Sequence, residues 1–280
     1  DSLYRIAQLH SVPLPFLIQQ NELHEPYRLT PGQTIVVPQP EKTYIVRRGD
    51  TLGSIAAQNG TTVMHLWQNN PQLGGTDRIQ PGQMLVLSYG NKLGRFAVNG
   101  YAYPSINTNS LNCVLPFLTF LSPFSYKLTP TAELVPPDDS DLIFRAQRSA
   151  VMPIMVVTNI FDEGFSTEVL SVILASEELQ ERLIGNILSE LTGKNYYGVN
   201  MDIEYIAPDD RERYNAFLER LTERLHNEGF IVMSALAPKI SADQPGVLYE
   251  AHDYAEQGRI VDYVIIMTYE WGYTCYHTSL

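Results

Sequence analysis

Cysteine is scarce in this chain of 280 residues: Cys113 and Cys275 are the only two. Two thiols build neither a disulfide framework nor a four-ligand metal site. One reads as a small core residue and the other as incidental to the chain end. The six histidines show no His-x-x-x-His spacing, and no Cys-x-x-Cys occurs, so no metal or other cofactor is expected. Long apolar runs are also missing. The Val151–Val157 run is far short of the ~18 residues a membrane span needs, and Pro153 interrupts it, so no span is expected. Basic residues are few, 19 Lys and Arg against 31 Asp and Glu, giving a net charge of −12. The deficit is uneven: residues 1–94 hold 7 basic and 6 acidic groups, residues 95–280 hold 12 and 25. Binding a phosphate backbone needs a basic footprint. The acidic main body therefore excludes nucleic acid and favours a neutral ligand. The chain opens at Asp1, so the lack of a visible secretory leader carries no information. Nothing in the sequence bears on oligomeric state.

What is present begins with a repeat. Asp1-Ser2-Leu3-Tyr4-Arg5-Ile6-Ala7 matches Asp50-Thr51-Leu52-Gly53-Ser54-Ile55-Ala56, and Pro31-Gly32-Gln33-Thr34-Ile35-Val36-Val37 matches Pro81-Gly82-Gln83-Met84-Leu85-Val86-Leu87. Asn21 stands where Asn69 or Asn70 does. The complete copy reads strand, helix, helix, strand. Tyr44-Ile45-Val46 opens it, Asp50 or Thr51 can cap the first helix, Val63, Leu66 and Trp67 mark the second, and Pro81-Gly82 turns into the last strand. The first copy lacks an equivalent of Tyr44 to Gly49. Its opening strand is missing, so it is expected to be the weaker of the two.

This pattern resembles the LysM module, a small βααβ domain, through Tyr44-x-Val46-x-x-Gly49-Asp50-Thr51-Leu52-x-x-Ile55-Ala56, then Asn69 and Ile79-x-Pro81-Gly82-Gln83. The resemblance implies binding of glycans built on N-acetylglucosamine, such as peptidoglycan or chitin. It places the groove at Gly49, Asp50, Thr51 and Leu52 and at Asn70, Pro71, Gln72 and Leu73. Helix capping is the competing role for the Asp50 and Thr51 side chains, with the backbone around them meeting the sugar.

The copies are expected at 1–39 and 43–89, with Ser88 to Gly94 as linker, and a different pattern starts at Arg95. Apolar strands are predicted at Phe96–Tyr103, Leu115–Phe120, Met152–Thr158, Gly198–Tyr205, Ile231–Ala237 and Val261–Tyr269. They alternate with amphipathic helices, notably Ser176–Leu191 and Pro208–Asn227, the latter stopped by Gly229. Strands alternating with helices imply an α/β parallel sheet, with a (β/α)8 barrel as the leading form. Such a barrel typically takes ~250 residues. The 186 residues from Arg95 onward supply six strands, so residues 95–280 read as a barrel truncated after about six strands.

The tract Tyr197-Gly198-Val199-Asn200-Met201-Asp202-Ile203-Glu204-Tyr205 carries the chemistry. Side chains alternate along a strand, so Asn200, Asp202 and Glu204 share one face. Unpaired charge on an interior face costs several kcal/mol, which a fold rarely tolerates without a use for it. The tract resembles the Asp-Gly-x-Asp-x-Asp-x-Glu signature of glycoside hydrolase family 18. The last two acids match, Tyr197 and Asn200 replace the first two, and Val157-Thr158-Asn159 stands in place of the family's Ser-x-Gly-Gly. Met267-Thr268-Tyr269-Glu270 resembles the family's Met-x-Tyr-Asp. Joined to LysM repeats, the chain is similar to the spore-cortex-lytic N-acetylglucosaminidases of spore-forming bacteria, which implies an extracytoplasmic place in spore cortex, coat or cell wall.

The resemblance implies substrate-assisted retaining hydrolysis. Glu204 would be the acid/base. Asp202 would hold the acetamido N–H, stabilise the developing positive charge and raise the Glu204 pKa. Tyr269 would bond the acetamido oxygen, and Asn200 would orient Asp202. Trp271 would stack on sugar, with Tyr101 and Tyr103 at the end of the first strand as weaker candidates of the same kind; ordinary core packing is the competing role for these aromatics. Asp162-Glu163-Gly164 reads as a solvated loop. A structural network around Asp202 and Glu204 is the competing reading for the acids. The alternative for the whole chain is a non-catalytic glycan-binding protein with an inactive barrel.

Overall fold

The computed structural model describes residues 2–21, 23–25, 27–90, 94, 96–162 and 164–268. It divides into two compact units, residues 1–98 with 106–118, and residues 99–105 with 119–280.

The first unit opens with α1 (Leu3–Leu9), capped by the Ser2 side chain, and α2 (Leu14–Gln20). Then come β1 (Pro40–Ile45), α3 (Leu52–Gln58), α4 (Val63–Asn69) and β2 (Met84–Tyr89). This is the strand, helix, helix, strand order read from the second repeat. β1 and β2 pair antiparallel, with Ile45 opposite Met84, over a core of Leu52, Ile55, Leu66 and Leu85. The cap of α3 is Thr51, which forms a reciprocal capping box with Ser54. Asp50 holds the preceding turn instead, accepting from the Tyr44 hydroxyl at 2.9 Å and the Arg47 amide at 2.7 Å. Gly49 in that turn has φ +91°, which glycine adopts without steric cost.

The first repeat forms no strand among the described residues. Val36, which has no ladder partner there, is served by one side chain: Asn21 accepts from the Val36 amide and donates to its carbonyl, both at 2.8 Å. Asn70 does the same for Val86, again at 2.8 Å. The counterpart of Asn21 is thus Asn70 and not Asn69. Cys113 lies in α5 (Thr108–Val114) and is exposed, which corrects its reading as a core residue. Its Sγ sits 3.3 Å from the Gly74 carbonyl oxygen on a surface turn. Cys275 lies outside the described residues.

The strands of the second unit are β3 (Asn99–Ala102), β4 (Phe120–Pro123), β5 (Tyr126–Leu128), β6 (Leu134–Val135) and β7 (Met152–Thr158). They continue with β8 (Ile160–Phe161), β9 (Gly164–Phe165), β10 (Gly198–Asp202), β11 (Ile231–Leu236) and β12 (Tyr263–Ile266). β3, β4, β7, β10, β11 and β12 lie side by side in chain order and run parallel. These are the six expected strands. α6 (Ser140–Arg148), α7 (Thr167–Leu174), α8 (Glu177–Lys194), α9 (Arg211–Asn227) and α10 (Tyr254–Ile260) connect them. Asp162 has φ 52° and makes the tight turn between β8 and β9.

Three boundaries differ from the sequence expectation. The second strand starts at Phe120, because Leu115–Phe117 is a 3-10 turn; Pro116 has no amide to give a ladder and suits the first turn of a helix. The first strand starts at Asn99, leaving Phe96 exposed. The fourth strand stops at Asp202, two residues before Glu204. Tyr269, Glu270 and Trp271, expected at or just past the end of the sixth strand, lie outside the described residues.

Alternation along β10 divides the core. Val199, Met201 and Ile203 join the large apolar cluster with Leu183, Ile187, Phe217, Leu218 and Leu221 of α8 and α9. The other face of the sheet carries a smaller cluster, Phe120, Ile154 and Met233. In register with it further along the strands come Asn200 and Asp202. The concave face is therefore apolar at its amino-terminal end and polar at its carboxyl-terminal end.

Candidate active site

Asp202 is the last residue of β10, level with Thr158 of β7. It is only 4% exposed, and its Oδ1 has no hydrogen-bond partner among the described residues. Burial pushes its pKa up to about 7, because a carboxylate loses hydration there. Two positions back, Asn200 donates from Nδ2 to the Tyr101 phenol oxygen at 2.6 Å. Its Oδ1, like that of Asp202, is buried without a partner among the described residues. The Asn200 amide is turned across the sheet to Tyr101. Tyr214 of α9 packs nearby, its phenol pKa raised by burial and further by the charge of Asp202.

Glu204 stands just past the strand, half-buried. The ladder ends before it, and side chains take over. Asn159, the residue after β7, accepts from the Glu204 amide at 3.0 Å and donates to the Glu204 carbonyl at 2.7 Å. His252 lies 3.1 Å from the Ile203 carbonyl through Nε2, while its Nδ1 accepts from the Ala237 amide at 2.8 Å. Thr167 donates to the Tyr205 carbonyl at 2.6 Å. Tyr205 itself has φ 54°, so the chain turns sharply directly after the acid.

Asp202 and Glu204 line one hollow of about 490 Å³, together with Tyr101, Tyr103, Phe124, Ile160, Phe165 and Met267. Tyr101 and Tyr103 both meet Phe124 edge to face. The floor is acidic and the walls are aromatic and apolar. A ligand with flat apolar faces and a polar rim suits such walls, and the acids meet it where the parallel strands end. The sequence placed Tyr101, Tyr103, Asp202 and Glu204 here. It missed Phe124 and Phe165, because Phe124 fell beyond the strand as drawn and Phe165 sits in a small hairpin. Asn159 carried one signal, its place directly after a strand. His252 carried none.

Comparison of the sequence with known families finds the LysM domain at residues 1–38 and 44–88 and glycosyl hydrolases family 18 at residues 157–280. The chain thus carries a glycosyl hydrolases family 18 domain together with LysM domains. A "Cortical fragment-lytic enzyme" of Bacillus subtilis is 38% identical over 82% of this chain and 66% of its own length. The crystal structure of the Bacillus megaterium spore cortex-lytic enzyme SleL superposes with a TM-score of 0.74 at 31% identity, over 98% of this chain and 65% of that one. The family 18 chain thus spans just under two thirds of the length of these relatives. A chitinase from Chromobacterium violaceum, 20% identical over 66% of this chain and 59% of its own with a TM-score of 0.59, shares the fold.

In the second LysM domain, the Asp50 carboxylate and the Thr51 hydroxyl are spent on the local turn and cap. Leu52 is buried. The Asn70 amide is buried and bonded to Leu66 and Val86. What these positions offer a ligand is backbone, with Gly49 and Pro71 at the surface. A separate hollow of about 440 Å³ in the same unit is lined by Lys42, Asn59, Thr61, His65, Gln68 and Tyr89.

Proposed function

We propose that the chain is the acid-bearing part of a glycosidase that cleaves N-acetylglucosamine-containing glycan, with cortex peptidoglycan fragments as substrate and the LysM domains as glycan anchors. One observation carries the reading: Asp202 and Glu204 open into the same aromatic-walled hollow at the carboxyl ends of a parallel sheet. The names of the relatives that match most of the chain, cortex-lytic in both cases, favour peptidoglycan over chitin and a site of action in the spore cortex, outside the cytoplasm.

The mechanism follows from substrate assistance, in which the 2-acetamido oxygen attacks the anomeric carbon and the protein supplies one acid/base. Glu204 protonates the leaving oxygen and later takes a proton from water. Asp202 accepts the acetamido N–H. That bond gives its Oδ1, which has no partner among the described residues, a donor, lowers its pKa from about 7, and leaves a carboxylate beside the positive charge of the oxazolinium ion. Tyr269 as donor to the acetamido oxygen and Trp271 as stacking platform complete the proposal; both lie outside the described residues. Asn200 acts through Tyr101, a wall of the hollow.

The test compares the whole protein with Glu204→Gln and Asp202→Asn on N-acetylated glycan fragments and on fragments lacking the acetyl group. Both substitutions are expected to abolish turnover while glycan binding through the LysM domains persists. The deacetylated substrate is expected to be inert. Normal turnover by Glu204→Gln, or efficient cleavage of deacetylated glycan, would overturn the reading.

A further inference from the structure

We propose that Asn159 and His252 are positioning residues for Glu204, holding from two sides the peptide units that set its carboxyl relative to Asp202. The inference rests on the reading of Glu204 as the acid. Its basis is a gap in the sheet. β10 pairs with β7 as far as Asp202 opposite Thr158 and with β11 as far as Met201 opposite Ser234. The groups of Ile203 and Glu204 lie beyond both ladders. An acid whose backbone is free to shift by an ångström loses about a hundredfold in rate.

Two side chains continue the ladder where the backbone leaves off. On the β7 side, Asn159 bonds both the amide and the carbonyl of Glu204, as a neighbouring strand would. Asn159 is itself fixed: it is fully buried, its Nδ2 also reaches the Ser166 carbonyl at 3.1 Å, and its own carbonyl accepts from the Ser166 amide at 2.9 Å. On the β11 side, His252 spans from the Ala237 amide to the Ile203 carbonyl. A backbone N–H can only donate, so Nδ1 must be the acceptor and Nε2 must carry the proton given to Ile203. Burial holds this ring neutral by lowering its pKa, and the ammonium of Lys239, which donates to the His252 carbonyl at 3.0 Å, adds to that effect. Neither residue lines the hollow. Their role is indirect.

The experiment measures kcat, KM, the pH profile and the thermal midpoint for the whole protein and for Asn159→Ala, His252→Gln and Glu204→Gln, using an N-acetylglucosamine oligosaccharide. Positioning predicts that Asn159→Ala and His252→Gln lower kcat about tenfold or more, leave KM within about threefold, and move the basic limb of the pH profile, since Glu204 then ionises at a changed distance from Asp202. A merely structural role would lower the thermal midpoint and leave kcat and the limb unmoved below it; that outcome overturns the inference. His252→Gln keeps a polar side chain at that position but not the ring that spans the Ala237 amide and the Ile203 carbonyl, and tests the same claim should Asn159→Ala not fold. If Glu204→Gln is inactive while the other two turn over normally, the inference fails and the acid assignment stands. If Glu204→Gln itself turns over normally, the acid assignment fails first.

Discussion

Asn200 of β10 hydrogen-bonds Tyr101 of β3 at 2.6 Å, although β7 and β4 stand between those strands in the sheet. In a flat sheet three strand spacings of about 4.8 Å would separate them by about 14 Å. The bond closes across the concave face only because the sheet is curled, and that curl makes the hollow. Tyr101→Phe leaves the buried Asn200 amide without its one partner among the described residues. A loss of about 1–3 kcal/mol of stability is expected, read from denaturant unfolding. An unchanged midpoint would remove this bond from the account of the fold.

The pH dependence of stability should carry the mark of Asp202. Its native pKa, about 7, lies above the ordinary 3.8, so the native state holds a proton that the unfolded state has released between those values. Stability is then lost as pH rises from about 4 through 7. Asp202→Asn should raise the thermal midpoint at pH 8, by an equivalent of at most about 4 kcal/mol, and leave it nearly unchanged at pH 3.5. A uniform shift at both pH values would contradict the assignment.

Gly198 starts β10 level with Ile231 of β11. A Cβ there would collide with the carbonyl oxygen of Ile231. Gly198→Ala should cost about 1–3 kcal/mol and lower kcat as well, because β10 ends on Asp202 and leads directly into Glu204. A variant as stable as the parent would show that the strands can part at that point.

In the LysM domains, Asn21 and Asn70 make equivalent bonds in unequal settings. Val86 is buried within a paired strand, whereas Val36 is mostly exposed and lies in no ladder. Hydrogen exchange should be slower at the Val86 amide than at Val36 by at least about tenfold. Equal rates would mean that the first repeat is no weaker than the second.

A buried charge network ties the second unit together. Asp139 accepts from the Tyr126 hydroxyl at 2.8 Å, the Tyr196 hydroxyl at 2.6 Å and Lys194 at 2.9 Å. Removing the anion takes from the buried Tyr196 hydroxyl its acceptor and leaves Tyr126 and the half-buried Lys194 with Glu190 as their remaining carboxylate partner. Asp139→Ala should cost about 3–5 kcal/mol with KM unchanged in the protein that remains folded. A loss under about 1 kcal/mol would show that the donors find other partners.

Much of this was legible beforehand because it is local. The cap of α3 was readable as Asp50 or Thr51, since capping depends on residues within one helical turn. The Met152–Thr158 strand was readable from its apolar run alone. Leu115–Phe117 was misread because three apolar residues fit a strand and a 3-10 turn equally well until Pro116 is given its backbone cost. Cys113 was misread because composition does not say which face of a helix meets solvent.

The site divides along the same line. Strand alternation determined that Asn200 and Asp202 point one way and Val199 and Met201 the other, a consequence of backbone geometry that any extended segment obeys; Glu204 lies past the strand end, where alternation no longer decides. The position of Asn159 and His252 on either side of Glu204, and of Tyr101 against Asn200, joins residues 45, 49 and 99 positions apart. Contacts of that reach depend on how far the sheet curls and which loops its strand ends bring together, and no periodicity in the chain encodes them.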